Sequence, residues 1–241
     1  MSLIIRAASS IANSVMWLRR EQRFKPKTDT AKVNIGAGLS VADGWINVDN
    51  SLYALFSKLP KFIVRTLYRL SSIKQQYSPK EYLDILKNHT FIPHNLEYGM
   101  PFPDKSIDYL YSSHLLEHLF KEDAVKLLGE AYRVLKDSGR IRICVPDLDY
   151  AISLYQKGNK REAMDFFFTI SKSTDYFSRH KYMYDFDLLR SLLAEAGFIN
   201  IERWAYKQGK FPDISKLDNR PDQTLFVEAV KSPVLEYKKA D

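Results

Sequence analysis

Apolar runs of strand length, each followed by glycine or a polar residue, alternate along this chain with stretches of helical periodicity. "AKVNIGA", "GWINVDN", "TFIPHNL", "SIDYLYSS" and "RIRICVP" read as successive strands. Between the last two, "KEDAVKLLGEAYRVLKDSGR" carries apolar residues at 124, 125, 127, 128, 131, 132 and 135, the spacing of a helix face, with Gly139 expected just past the helix end. Two helical segments cover about 147–170, "FDLLRSLLAEAGF" is a helix ending near Gly197, and "NIERWAYK" and "QTLFVEAV" close the chain as strands. Strands that alternate with helices pair mostly in parallel and must be covered on both faces. The fold class is therefore α/β.

The chain has 241 residues, 45% of them hydrophobic, enough for one sizeable core. Residues 1–30 read as an amphipathic helix with a basic linker, 31–231 as one domain with a helical insertion at about 52–88, and 232–241 as a tail. The single cysteine, Cys144, lies inside an apolar strand and reads as a buried structural thiol. No apolar run reaches the ~18 residues of a membrane span, and no secretory leader is evident, so a cytoplasmic protein is expected.

The net charge of +7 points to an acidic partner. Leu3, Ala7, Ile11, Val15 and Leu18 fall on one helical stripe, followed by "RREQRFKPK". In "SKLPKFIVRTLYRL", Leu59, Phe62, Ile63, Leu67 and Leu70 are interleaved with Lys58, Lys61, Arg65 and Arg69. Both segments, 1–24 and 58–70, have the pattern of helices that lie on the inner face of a membrane, close over a site, or pack on the core with their cations solvated. Nothing beyond charge supports nucleic acid, since no zinc finger, aromatic RNA-binding motif or Arg/Gly tract is present.

In a parallel sheet, ligands bind beyond the carboxyl ends of the strands. Those positions hold Gly36 and Gly38, Asp49, Asn95, Ser112 to His114, and Pro146 to Asp149. Glycines admit close backbone approach, an acid at the next strand end can take both hydroxyls of a ribose, and an asparagine amide can pair with an adenine edge. The third glycine of a dinucleotide fingerprint is missing, Leu39, Ser40 and Val41 following Gly38, and no Lys-Ser/Thr follows to cradle phosphates. An adenosine ligand without a pyrophosphate fits this pattern.

The loop "NIGAG" with "GWINVD", then "HNLEYGMPFPDKSIDYLYSSHLLEHL" and "EAYRVLKDSGRIRICVPDLD", resembles class I S-adenosylmethionine-dependent methyltransferases, and among them those of bacterial surface-polysaccharide gene clusters. The resemblance spans about residues 32–231. It implies a Rossmann-like, seven-stranded, mostly parallel sheet with an antiparallel last strand, and S-adenosylmethionine as cofactor. It also implies Gly36 and Gly38 at the methionine end of the donor, Asp49 at the ribose, Asn95 and Leu96 by the adenine, and Ser113 and His114 by the sulfonium. Asn95 stands where the family usually has aspartate; an amide can still accept from the exocyclic amine.

Methylation of an alcohol requires alignment of the acceptor and removal of one proton. His114 and His180 are the candidate bases, His114 by its place after the fourth strand and His180 by its polar loop "SRHKYMYD". Glu117 and His118 read as helix-starting and packing residues, and His89 and His94 as structural or exposed. Glu117, His118, Asp147 and Asp149 are of types that bind Mg²⁺, but they come from two loops without a chelating motif, and no metal ligands are assigned. Tyr176, Phe177, Tyr182 and Tyr184 around His180 suit an aromatic lid over a sugar. The expected activity is O-methylation of a sugar hydroxyl in a surface glycan or its lipid-linked precursor. The alternatives are another small-molecule or lipid acceptor, or donor binding without catalysis.

Overall fold

The computed structural model describes residues 13–168 and 179–233. Its strands are β1 (Lys32–Ile35), β2 (Ile46–Asp49), β3 (Thr90–Pro93), β4 (Ile107–Ser113), β5 (Leu135–Pro146), β6 (Phe198–Trp204) and β7 (Thr224–Lys231). They form one sheet in the order β3-β2-β1-β4-β5-β7-β6. Pairing is parallel from β3 through β5, and β7 runs antiparallel to both β5 and β6. This is the Rossmann-like sheet of the methyltransferase fold, with its antiparallel last strand.

The central strands are apolar on both faces because both faces are covered. Val33, Ile35, Leu110, Ile141 and Ile143 pack with Leu127, Leu128 and Ala131 of α4 (Lys121–Val134) and with Leu189, Leu192 and Leu193 of α7 (Phe186–Glu195). The opposite face holds Trp45, Tyr111, Cys144 and Phe226 against Phe211 and Leu217, the latter in the short helix α8 (Ile214–Leu217). Each fully buried leucine here contributes about 1.5–3 kcal/mol relative to exposure. Cys144 is buried, as expected, and burial pushes its thiol up to about 12.

Residues 52–88 fold into α1 (Leu52–Phe56), α2 (Lys61–Leu70), a 3₁₀ turn and α3 (Pro79–Asn88). α3 starts at a capping box in which Ser78 and Glu81 satisfy each other's backbone N–H. Val64, Tyr68, Tyr82, Leu83 and Leu86 close a second core over Phe91 of β3. α2 thus buries one face on the protein while Phe62 and Leu70 remain 71% and 70% exposed. After β5 come α5 (Leu148–Gln156) and α6 (Lys160–Phe168).

The connection from β1 to β2, residues 36–45, contains no helix. Two buried amides brace it. Asn34 donates to the Ser40 carbonyl at 2.8 Å and to Asn47 Oδ1 at 3.3 Å, and Asn47 donates to the Trp45 and Thr90 carbonyls.

Three expectations are corrected. The helix expected to run to Gly139 ends at Val134, and Gly139 lies within β5. Residues 136–139 bulge between the pairs Ile107–Leu135 and Tyr109–Arg140, and a Cβ on Gly139 would lie 2.8 Å from the Lys136 carbonyl oxygen, so the glycine serves a close approach. On the N-terminal stripe Leu18 is 73% exposed and Met16 is the buried residue; Leu3, Ala7 and Ile11 lie outside the described residues. Tyr184 is no lid residue: it is fully buried, because a bridge to Asp147 and the bond from Leu148 N–H to its carbonyl draw it into the core. The Tyr182 ring lies tilted beside it, with centroids 5.1 Å apart, while Tyr176 and Phe177 lie outside the described residues.

Candidate active site

The carboxyl ends of β1, β2 and β3 open on a cavity of about 210 Å³ lined by Gly36, Asp49, Asn50, Asn95, Leu96, Glu97, Leu115 and His118, among others. Gly36 has φ +63°, a conformation that L side chains rarely adopt, and a Cβ there would lie 3.0 Å from Leu115. The apolar strand therefore turns sharply at Gly36 and exposes backbone to the cavity. Asp49 ends β2 with its carboxylate held from two sides, Oδ2 by Gly38 N–H and Oδ1 by Ser51 N–H, each at 2.7 Å. Carboxylate oxygens accept more than one bond, so both retain capacity toward the cavity.

Asn95 caps the 3₁₀ turn Leu96–Tyr98: its Oδ1 accepts from Glu97 N–H and its Nδ2 donates to Glu97 Oε2, both at 3.1 Å. Gly36, Asp49, Asn95 and Leu96 are thus brought to one cavity, and Gly38 is joined to it through Asp49. Ser113 lines neither this cavity nor the next.

A second cavity, of about 240 Å³, is lined by His114, Pro146, Phe166, His180, Arg220, Asp222 and Thr224 among others. Between the two cavities stands Glu117, fully buried in the 3₁₀ turn Leu116–His118. His114 follows β4 with φ +52°, an uncommon backbone conformation of the kind found at functional sites. Its Nδ1 lies 3.1 Å from Glu117 Oε1 and its Nε2 3.3 Å from Thr224 Oγ1. An ionised carboxylate only accepts, so Nδ1 carries the proton and Nε2 keeps its lone pair.

His118 and His180 share that tautomer. Their Nδ1–H groups donate to the carbonyls of Arg179 and Phe166 at 3.2 and 2.9 Å, and the two rings stand 5.3 Å apart. His180 comes within reach because Lys181 and Tyr182 N–H donate to the Glu117 carbonyl, at 2.7 and 3.3 Å. Burial lowers the His180 pKa and the Glu117 charge opposes that shift, so burial favours the neutral ring.

Two sequence readings of this region change. Glu117 and His118 do not start α4, which begins at Lys121, but form the 3₁₀ turn before it, where Glu117 is buried in keeping with a packing role. Asp147 and Asp149 do not join them: Asp147 caps α5 and pairs with Arg203 at 2.7 Å, and the Asp149 side chain is 61% exposed. Among the described residues, the group that can converge on an ion is Glu117, His118 and His180. Sequence reasoning missed Glu117 as an organiser and Thr224 as a partner; the spacing of His114, Glu117 and His118 on one short turn was the available signal.

Residues 67–143 match the family described as a methyltransferase domain. Similar solved structures include the S-adenosylmethionine-dependent methyltransferase SibL in its apo form, 17% identical with TM-score 0.51 over 95% of this chain and 57% of that one. A SAM-dependent methyltransferase from Methanosarcina mazei is 15% identical, TM-score 0.50, over 87% of this chain and 95% of that one. The CurJ carbon methyltransferase is 13% identical, TM-score 0.48, over 93% of this chain and 54% of that one. The chain spans little more than half the length of CurJ and SibL. No curated protein matches the sequence. The match over residues 67–143 and the sheet order agree on the Rossmann-like fold of methyltransferases.

Proposed function

We propose that this chain O-methylates a sugar hydroxyl of a surface glycan or its lipid-linked precursor, with the donor in the Asp49 cavity and the acceptor in the His114 cavity. S-adenosylmethionine, when bound, supplies a methyl group on a sulfonium leaving group. The glycine turn at Gly36 and Gly38 and the tethered Asp49 suit its methionine and ribose portions, and Asn95 with Leu96 suits the adenine. Asn95 Oδ1 would have to share its acceptor capacity with Glu97 N–H.

The observation that carries hydroxyl chemistry is the Glu117–His114 pair. A buried carboxylate fixes the imidazole tautomer, leaving Nε2 able to take the proton of an alcohol in the acceptor cavity. His180 lines the same cavity and would contact the acceptor. Ser113, proposed from the sequence beside the sulfonium, ends β4 and lines neither cavity.

A lipid-linked acceptor is supported by α2 and α3, where Lys61, Arg65, Arg69 and Lys80 line a cleft of about 540 Å³ beside Phe62 and Leu70. Such a face suits anionic lipid at the inner surface of a membrane. Among the described residues no helix is long and apolar enough to cross one.

The test is transfer of labelled methyl from S-adenosylmethionine to glycan and lipid-linked glycan extracts, with mass spectrometry of surface glycans from cells with and without the gene. A methyl ether missing without the gene names the acceptor. Label appearing only in other small molecules or lipids overturns the sugar assignment, and donor binding without transfer to any acceptor overturns catalysis.

A further inference from the structure

Glu117 is a buried carboxylate whose neighbours satisfy only one of its oxygens. Oε1 meets His114, whereas Oε2 is buried without a hydrogen-bond partner among the described residues. A buried carboxylate left this way is costly unless a positive group completes it. Beside it, His118 and His180 are both held as Nδ1–H tautomers by backbone carbonyls, which leaves the two Nε2 lone pairs uncommitted. His118 Nε2 lies 3.8 Å from Glu117 Oε1, and one ligand atom from each of the three residues lies within 4.8 Å of the others. Imidazoles anchored through the second ring nitrogen to a carbonyl, so that the first points at a shared centre with a carboxylate, are the arrangement of metal-binding histidines.

We propose that Glu117, His118 and His180 form a binding site for a divalent first-row transition cation, such as Zn²⁺ or Mn²⁺. Two nitrogens and one carboxylate suit those ions and disfavour Mg²⁺, which selects oxygen ligands. Three protein ligands leave a coordination position open. His118 lines the donor cavity and His180 the acceptor cavity, so the cation sits at their boundary. On the reading that the acceptor is an alcohol, the open position takes the acceptor oxygen and orients it. Glu117 then serves two partners, with Oε1 holding His114 and Oε2 completing the cation.

The test uses the full chain, stripped with chelator and titrated with ZnCl₂, MnCl₂ and MgCl₂ by calorimetry, with S-adenosylhomocysteine affinity measured on the same preparations. One equivalent of Zn²⁺ or Mn²⁺ is expected to bind, and MgCl₂ to bind far more weakly. His118→Ala and His180→Ala, both at partly exposed positions, should each weaken binding about 100-fold or more while keeping their thermal unfolding. His89→Ala, outside the cluster, should leave it unchanged. Bound Co²⁺ should show visible absorption that both cluster variants lose. Absence of saturable binding, or wild-type affinity in both cluster variants, overturns the site. That result with donor affinity intact leaves the methyltransferase reading standing; retained cation binding with no donor affinity supports the site and removes its proposed role.

Discussion

The backbone N–H of Gly38 donates to Oδ2 of Asp49 at 2.7 Å, so the turn that follows β1 is held by the acid that ends β2. Oδ1 of the same carboxylate takes the N–H of Ser51 at 2.7 Å. A single side chain therefore sets the spacing of two strand-end loops on the cavity assigned to the donor, and any loss there is felt in both.

Asp49→Ala should weaken S-adenosylmethionine by ~2 kcal/mol or more, the scale of lost charge-assisted hydrogen bonds to a ribose. Asp49→Asn should be nearly as weak, because an amide has one acceptor oxygen where the carboxylate has two. Calorimetry returning wild-type affinity for both variants would remove the proposed donor site.

His114→Ala is expected to lower turnover ~100-fold or more with little change in donor affinity, as for loss of a general base. His180→Ala should raise the KM for the acceptor, since that ring lines the acceptor cavity and not the donor cavity. Steady-state kinetics with near-normal turnover in His114→Ala would leave proximity as the source of rate.

Arg142 is buried between two acids, donating to Asp218 at 2.6 and 3.1 Å and to Glu228 at 2.7 Å. Those carboxylates also take the N–H groups of Lys207, Lys210 and Phe211, so the network ties the loop after β6 to the sheet. Arg142→Met should destabilise the protein by about 3–5 kcal/mol, because it strands two buried carboxylates. A urea midpoint within experimental error of wild type would contradict this.

His94 is buried and donates from Nε2 to the Gly99 carbonyl at 2.9 Å, and burial holds its pKa below the usual 6.5. The unfolded chain then binds the proton more readily, so stability rises with pH up to about 6.5 and is lost as pH falls from there toward the depressed native value. His94→Gln should flatten that part of the stability profile. Unfolding free energies measured from pH 7 to pH 5 that decline equally in both proteins would exclude His94 as a contributor.

Phe62→Ser with Leu70→Ser should reduce co-sedimentation with anionic vesicles while leaving the fold intact, because both side chains are exposed on α2. Salt should weaken the wild-type interaction, and a neutral vesicle should bind less. Equal sedimentation of variant and wild type would detach the membrane reading from this helix.

Periodicity carried most of the architecture. Val33, Ile35 and Val48 stand in short apolar runs, and the helices around Leu127 and Leu192 repeat their apolar residues at helical spacing, so element type and the α/β class follow from local pattern. The positions of Gly36 and Asp49 were legible for the same reason: each ends an apolar run, and a strand's end is a local property. Gly139 was misread because a glycine after a helical pattern looks like a cap until the bulge against β4 is seen.

The sequence by itself thus determined the elements, the parallel sheet and the glycine and acid at its rim, since burial periodicity records which face of each element meets the core. Only tertiary structure decided that His180 meets Glu117 and that Asp147 and Asp149 do not. That choice depends on backbone bonds between distant segments: Lys181 N–H reaches the Glu117 carbonyl at 2.7 Å, while Arg203 takes Asp147 at 2.7 Å. Periodicity specifies which way a side chain faces. It carries no term for which of two distant loops packs against it.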